Sequence, residues 1–312
     1  MSRLLTRRES LTWAACGTAV AAAGCMPAVA NDATPPARWQ ANYILSSALY
    51  GDAPLASILP EVAATGASSI DLWPPPHGTQ RDEIDSLGLE HVEDLLRTHA
   101  VRLGGIACYR PGAFNLASEF ALVRRLGDAQ TVLVTMAKGD GNATGAALDA
   151  AIREFLEKLQ PAIEEAEAGG GVIAIENHSG SLLKSPESIH RFAKLVQSEK
   201  VGLALAPHHL PQEGQLLADL AAEVGGVLKF VYAQQLGHGS SQKLPKDEEL
   251  LQLPGRGVLD FGPLMRQLAE MNYAGPIEIF MHPVPRGVPI LPTLSEITAA
   301  VNASRAYLDG LL

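Results

Sequence analysis

The chain has 312 residues, with 24 Lys and Arg against 34 Asp and Glu, for a formal net charge of −10. Apolar residues at 47% and charged residues at 19% are ordinary for a globular protein, and 29 Gly and 21 Pro are too few for a collagen-like or low-complexity chain. The acidic balance argues against nucleic acid as a partner, because neutralising phosphates takes surplus Lys and Arg.

The first thirty residues read as an address rather than as fold. Thr6-Arg7-Arg8-Glu9-Ser10-Leu11 precedes an Ala-rich apolar run, and Ala28-Val29-Ala30 is a small-x-small cleavage signature. Paired arginines before a weakly hydrophobic stretch look like a twin-arginine signal, which predicts an exported, periplasmic protein. Ala22-Ala23-Gly24-Cys25 offers the alternative, a lipoprotein box with a lipid anchor on Cys25. The run is too short and too rich in Ala and Gly for a membrane span. Residues 31–41 read as a flexible lead, and 42–312 as one domain. Of Cys16, Cys25 and Cys108, only the last lies in that domain, so no intrachain disulfide is expected there.

From residue 42 onward, short β-rich runs alternate with longer helical patterns. Strands are expected at 43–49, 69–73, 103–109, 131–136, 172–177, 201–206, 228–234 and 276–281. Most are near-continuous apolar runs, the pattern of strands buried on both faces. Helical spacing follows at 89–99, 115–126, 146–167, 213–224 and 261–271. Ser185-Pro186 has the chemistry of a helix start, and Thr293-Leu294-Ser295-Glu296 that of a capping box. Gly66, Gly127 and Gly225 stand where helices stop. Eight strand–helix repeats predict an α/β fold, a single-domain (β/α)8 TIM barrel. An open doubly wound sheet would want a Gly-rich phosphate loop after an early strand, and there is none; Gly169-Gly170-Gly171 precedes a strand and reads as a turn.

Such a barrel carries its active site at the C-terminal ends of its strands. Of nine histidines, His91, His99 and His190 fall in helical patterns and read as surface residues. His77, His178, His208, His209, His238 and His282 all fall at or just after strand ends, which predicts a His-rich pocket. Glu176 ends an apolar strand, where a carboxylate without a partner is expensive and a cation is the usual remedy. Glu176 and His178 are two apart and share a strand face; Asp71 is placed similarly on the second strand. Gln234 and Gln235 are amides suited to a sugar hydroxyl or a metal, and Trp73 and Tyr109 offer flat faces to a carbohydrate ring. Lys138 and Arg286 could meet an anionic group, though a solvated surface role is the better reading of each. Cys108 reads as packing. A Gly-x-Ser-x-Gly elbow, a Cys/His zinc pattern and a Walker loop are absent from the sequence.

Four segments resemble the xylose isomerase-like barrel superfamily of sugar phosphate isomerases and epimerases: Ile175-Glu176-Asn177-His178, Leu205-Ala206-Pro207-His208-His209-Leu210, the run 255–261 and the run 273–279. The resemblance implies a divalent metal held by Glu, Asp, His or Gln, and Glu on strands five to eight. Glu176 matches the first ligand, His209 the trailing His of strand six, and Gln235 falls near the third. Ala206 and Phe280 stand where two carboxylates are usual, and His208 and His282 lie beside those gaps. The implied metal set is Glu176, His209, Gln235 and His282, which favours Zn, Mn, Co or Fe over Mg. The implied catalytic residues are Glu176, His178 and His209, and the implied substrate-binding residues Trp73, His77, Tyr109, Gln234 and His238. The implied function is a sugar isomerase or epimerase that moves a proton next to a carbonyl with metal assistance. The alternatives are a non-catalytic carbohydrate-binding relative with a degenerate metal site, or a lyase or hydrolase on the same scaffold. The expected partner is a small-molecule sugar. A phosphorylated sugar is not expected outside the cytoplasm, and the acidic balance disfavours anionic ligands.

Overall fold

A computed structural model of the protein describes residues 38–312. The export signal, Cys25 and most of the expected lead lie outside the described residues. Trp39, within that lead, is partly buried and donates its indole N–H to Tyr273 O at 2.7 Å.

Eight parallel strands close a barrel in chain order: β1 (Asn42–Ser46), β2 (Ser69–Leu72), β3 (Arg102–Ala107), β4 (Val132–Met136), β5 (Val172–Glu176), β6 (Val201–Leu205), β7 (Leu228–Ala233) and β8 (Pro276–Ile279). Closure is made by β8 pairing with β1, Tyr43 opposite Ile277 and Ile44 opposite Glu278. The helices are α1 (Leu55–Ala64), α2 (Gln80–Leu87), α3 (Leu89–Thr98), α4 (Ala117–Leu126), α5 (Gly145–Glu165), α6 (Pro186–Leu195), α7 (Gly214–Val224), α8 (Lys246–Glu249), α9 (Gly262–Glu270) and α10 (Leu294–Asp309). The first strand is shorter than its apolar run suggests, because Ser47–Tyr50 turns into a buried 3-10 helix. The short α8 sits in an excursion between β7 and α9 that lacks the periodicity of a full helix.

Local chemistry sets the helix starts. Ser185 accepts from Ser188 N, and Thr293 accepts from Glu296 N while Glu296 Oε2 takes the Thr293 N–H, so both capping boxes satisfy donors the helix leaves open. Gly225 stops α7 at φ +52°, a conformation where a Cβ is strained. Gly127, expected to act alike, is extended at φ −109°.

Inside the barrel, Asp71 lies beside Ser46 on β1 and Gly105 on β3. A Cβ on Gly105 would meet Asp71 Oδ1 at 2.6 Å, so the carboxyl occupies the space that this glycine leaves. Glu278 enters from β8, on the other side of β1. Both carboxyls are fully buried, and neither oxygen of either one has a hydrogen-bond partner of good geometry. Burial pushes both above the usual carboxylate range, Asp71 to about 7, and the neighbouring Asp71 raises Glu278 further. Above them Trp73 and Phe280 stack with ring centroids 4.8 Å apart at 16°, and this aromatic layer separates the carboxyl pair from the barrel mouth.

Candidate metal and substrate pocket

The mouth holds a cavity of about 230 Å³. Its floor is the Trp73–Phe280 stack, with Tyr109 and Tyr232 joined hydroxyl to hydroxyl at 2.9 Å. Its walls carry Glu176, Met136 and five histidines: His77, His178, His208, His209 and His282.

The wall is positioned by backbone clamps. Glu176 is the last residue of β5, and the adjacent Asn177 is fully buried. Its amide grips Ala206 from both sides, Nδ2 donating to Ala206 O at 3.0 Å and Oδ1 accepting from Ala206 N at 2.7 Å. This fixes the end of β6, after which Pro207–His209 makes one 3-10 turn that aims two successive imidazoles at Glu176. On the opposite wall, Gln252 holds His282: its Nε2 donates to His282 O at 2.8 Å and its Oε1 accepts from His282 N at 3.0 Å. Asn177 lies within the Ile175–His178 segment, though no role is expected of it there, and nothing in the sequence singles out Gln252; each acts through main-chain groups distant in the chain.

Glu176, His208 and His209 each offer a ligand atom within 4.8 Å of the others. Glu176 is 4% exposed, and burial raises its carboxyl to about 8, opposed by the nearby Tyr109 hydroxyl. Burial lowers His209 to about 3 and His77 to about 4, and it holds His208 and His282 well below the usual imidazole range. His209 Nε2 lies 3.8 Å from Glu176 Oε1, but a neutral imidazole facing a protonated carboxyl is not an ion pair. Both nitrogens of buried His208 lack a partner. A divalent cation fits this set, since neutral imidazoles and a carboxylate that burial alone would protonate are what such an ion binds.

The remaining expected site residues divide. Trp73, His77, Tyr109, His178 and His282 line the cavity. His282 stands across it, its ring 5.9 Å from His208, and is outside the close donor group. The expectation that Gln235 ligates a metal is corrected by its bonding: Nε2 donates to Leu253 O at 2.7 Å and Oε1 accepts from Leu259 N at 2.9 Å, which ties down the segment after β7. Gln234 is likewise corrected as a substrate residue, being buried against Gln252 Oε1 at 2.8 Å. His238 is exposed on a 3-10 turn and does not line the cavity. Met136, Tyr232 and Phe280 line it without having been expected to, and so does Arg286, for which a solvated role was the better expectation and an anion contact the alternative. Strand alternation carries the signal for Tyr232, which pairs with inward-facing Glu278. Cys108 is buried, its thiol on Ile106 O, as expected for packing.

The sequence matches the xylose isomerase-like TIM barrel family over residues 59–290. The chain belongs to that family. Among solved structures, this xylose isomerase-like barrel is similar to a protein from Sinorhizobium meliloti 1021, with 18% identity, TM-score 0.63, and 85% of this chain and 98% of that one covered. It is also similar to the IOLI protein described with a binding zinc atom, with 15% identity, TM-score 0.65, and coverage of 86% and 97%. A third likeness is D-psicose 3-epimerase with D-tagatose from Clostridium cellulolyticum H10, with 14% identity, TM-score 0.62, and coverage of 87% and 99%. At these identities the likeness is one of fold. Comparison with curated protein sequences gives no match. Among the described residues, no helix of this barrel is long and apolar enough to cross a membrane.

Proposed function

We propose that this xylose isomerase-like barrel is a metal-dependent isomerase or epimerase acting on a small polyhydroxy carbonyl compound. The observation that carries the reading is the convergence of Glu176, His208 and His209, three ligand atoms within 4.8 Å, on the wall of a sugar-sized cavity. A divalent ion held there supplies Lewis acidity toward a carbonyl oxygen.

The chain's own residues supply the rest. The Trp73 and Phe280 rings give the apolar CH face of a sugar a flat surface. His178 Nδ1 accepts from Gly180 N at 3.2 Å, so in its neutral form the proton sits on Nε2. His178 is therefore oriented to donate to a substrate oxygen, and the His77 and His282 rings, 5.0 Å apart, face the same cavity. Incubation with a panel of ketoses, aldoses and the corresponding sugar acids in D2O tests the reading. Metal-dependent exchange of a carbon-bound proton, followed by NMR, is expected; no exchange with any sugar across several added metals overturns it.

The second reading is a carbohydrate-binding relative. It is favoured by Ala206 and Phe280, which leave no carboxylate at two positions where family resemblance implies one. Sugar binding with no exchange decides for it. Export rests on the Arg7-Arg8 pair and the Ala28-Val29-Ala30 signature alone, and cell fractionation with N-terminal sequencing tests it.

A further inference from the structure

We infer that Arg286 is an anion-recognising residue of this pocket and that the ligand is a carboxylate-bearing sugar derivative, a uronic or keto-sugar acid, rather than a neutral sugar. The inference rests on the proposed sugar chemistry and deepens it by naming the substrate class.

Arg286 lies on the connection from β8 to α10 and lines the cavity beside His77, His208 and His282. Of the two roles its sequence context leaves open, solvated surface residue or anion contact, its place in the cavity lining favours the second. Its fork is fixed by backbone: Nη1 donates to Pro283 O at 3.1 Å and Nη2 to Ser240 O at 2.6 Å. A guanidinium has five N–H donors, so three remain. Among the described residues no carboxylate pairs with it, as the comparison with Arg81 makes plain. Arg81, which is buried where Arg286 is half-buried, is met by both oxygens of Glu119, at 2.6 and 3.1 Å.

Burying part of a guanidinium without a counter-charge is unfavourable unless an anion arrives with the ligand. The wall beside it offers no substitute, because its neighbours there are the imidazoles of His77, His208 and His282, which bring no negative charge. A planar carboxylate matches the donor fork. A phosphate monoester fits less well, since no Lys lines the cavity and one half-used guanidinium leaves much of a dianion unpaired. The overall acidic charge acts at long range and is screened by salt, whereas a contact inside the cavity is not, so the local cation decides.

The test is calorimetric titration of the zinc-loaded protein with matched pairs that differ only in CH2OH against COO−: glucose and glucuronate, galactose and galacturonate, with glucose 6-phosphate as a third arm. At least one acid is expected to bind about tenfold or more tighter than its neutral partner, a preference that weakens with salt. Arg286→Gln should reduce the preference to about twofold or less, and Arg286→Lys should retain part of it. Because Arg286 also holds two loops, the preference and salt dependence of the unmutated protein stand as an independent arm. Equal binding of acid and neutral sugar overturns this inference and leaves the isomerase reading standing. Tighter binding of the phosphate ester, or a preference unchanged in Arg286→Gln, also overturns it. If no sugar binds, acidic or neutral, both fall.

Discussion

Glu176 Oε1 stands 3.8 Å from His209 Nε2, too far for a hydrogen bond between them. Two donors each about 2.0–2.1 Å from a tetrahedral ion are roughly 3.4 Å apart, so the gap is close to what one cation spans. Purified protein should therefore carry close to one divalent ion per chain, measured by elemental analysis. His208→Ala combined with His209→Ala should reduce it to about a tenth or less, and chelator should lower the melting temperature of the unmutated protein but not of the variant. The size of that shift follows from linkage, with about 2.7 kcal/mol of stabilisation when free metal is a hundredfold above its dissociation constant. Full metal content in the double variant rules the site out.

Gln252 makes four hydrogen bonds with no solvent exposure, two of them to the main chain of His282. Gln252→Ala strands two donors, His282 N and Gln234 Nε2, and two acceptors, His282 O and Glu249 O, at each of which about 1–3 kcal/mol is at stake where it stays buried. A stability loss of about 2 kcal/mol or more is expected by denaturant titration, with activity falling further than folding alone explains because His282 is no longer held. A variant as stable and as active as the unmutated protein contradicts the positioning role.

The Trp73 ring stacks on Phe280 and forms the cavity floor, and its buried Nε1 lies near the Asp71 and Glu278 carboxyls without a hydrogen bond of good geometry. Trp73→Ala should cost about 3–5 kcal/mol in stability through the cavity it opens. Trp73→Phe should recover most of this, because it restores a ring in the stack. If the alanine variant melts at the original temperature, the stack does not hold the floor.

The architecture is legible in the sequence because buried parallel strands write continuous apolar runs and capping chemistry is local: Ser185 and Thr293 start helices as their neighbours dictate. The strand-end rule also brings Glu176, His178, His209, His77 and His282 to one mouth. It misleads for Gln235 and His238, because the segment after β7 turns back through α8 and takes the amide of Gln235 for its own backbone. That choice depends on where residues 252–259 run, and no spacing in the sequence encodes it. Arg286 misleads for the converse reason: a loop position looks solvated until the loop folds over the pocket. Asn177 and Gln252 act on main-chain groups remote in sequence, so their roles emerge only once the strands are assembled.

Beneath the aromatic floor, the Asp71 and Glu278 pair is a separate question of charge. Both carboxyls are fully buried with no cationic partner; burial raises the two of them, and the Asp71 charge raises Glu278 further. In the unfolded chain they titrate near pH 4. The folded protein thus binds more protons than the unfolded chain above that pH, and stability falls as pH rises through the interval up to the raised folded values. The unmutated protein should lose stability from about pH 4 upward on this account, every tenfold difference in proton affinity between the folded and unfolded chain being worth about 1.4 kcal/mol. Glu278→Gln removes one ionisation and the repulsion it brings, so its stability should match the unmutated protein near pH 4 and exceed it by about 1–3 kcal/mol at pH 8. Asp71→Asn should act in the same direction, and the double variant should gain less than the two single gains added, since either alone relieves the pair. Denaturant titrations from pH 4 to 8 measure this. A variant less stable at pH 8 than the unmutated protein would mean that the two carboxylates are ionised together around a bound cation, and the proton-sharing account would be withdrawn.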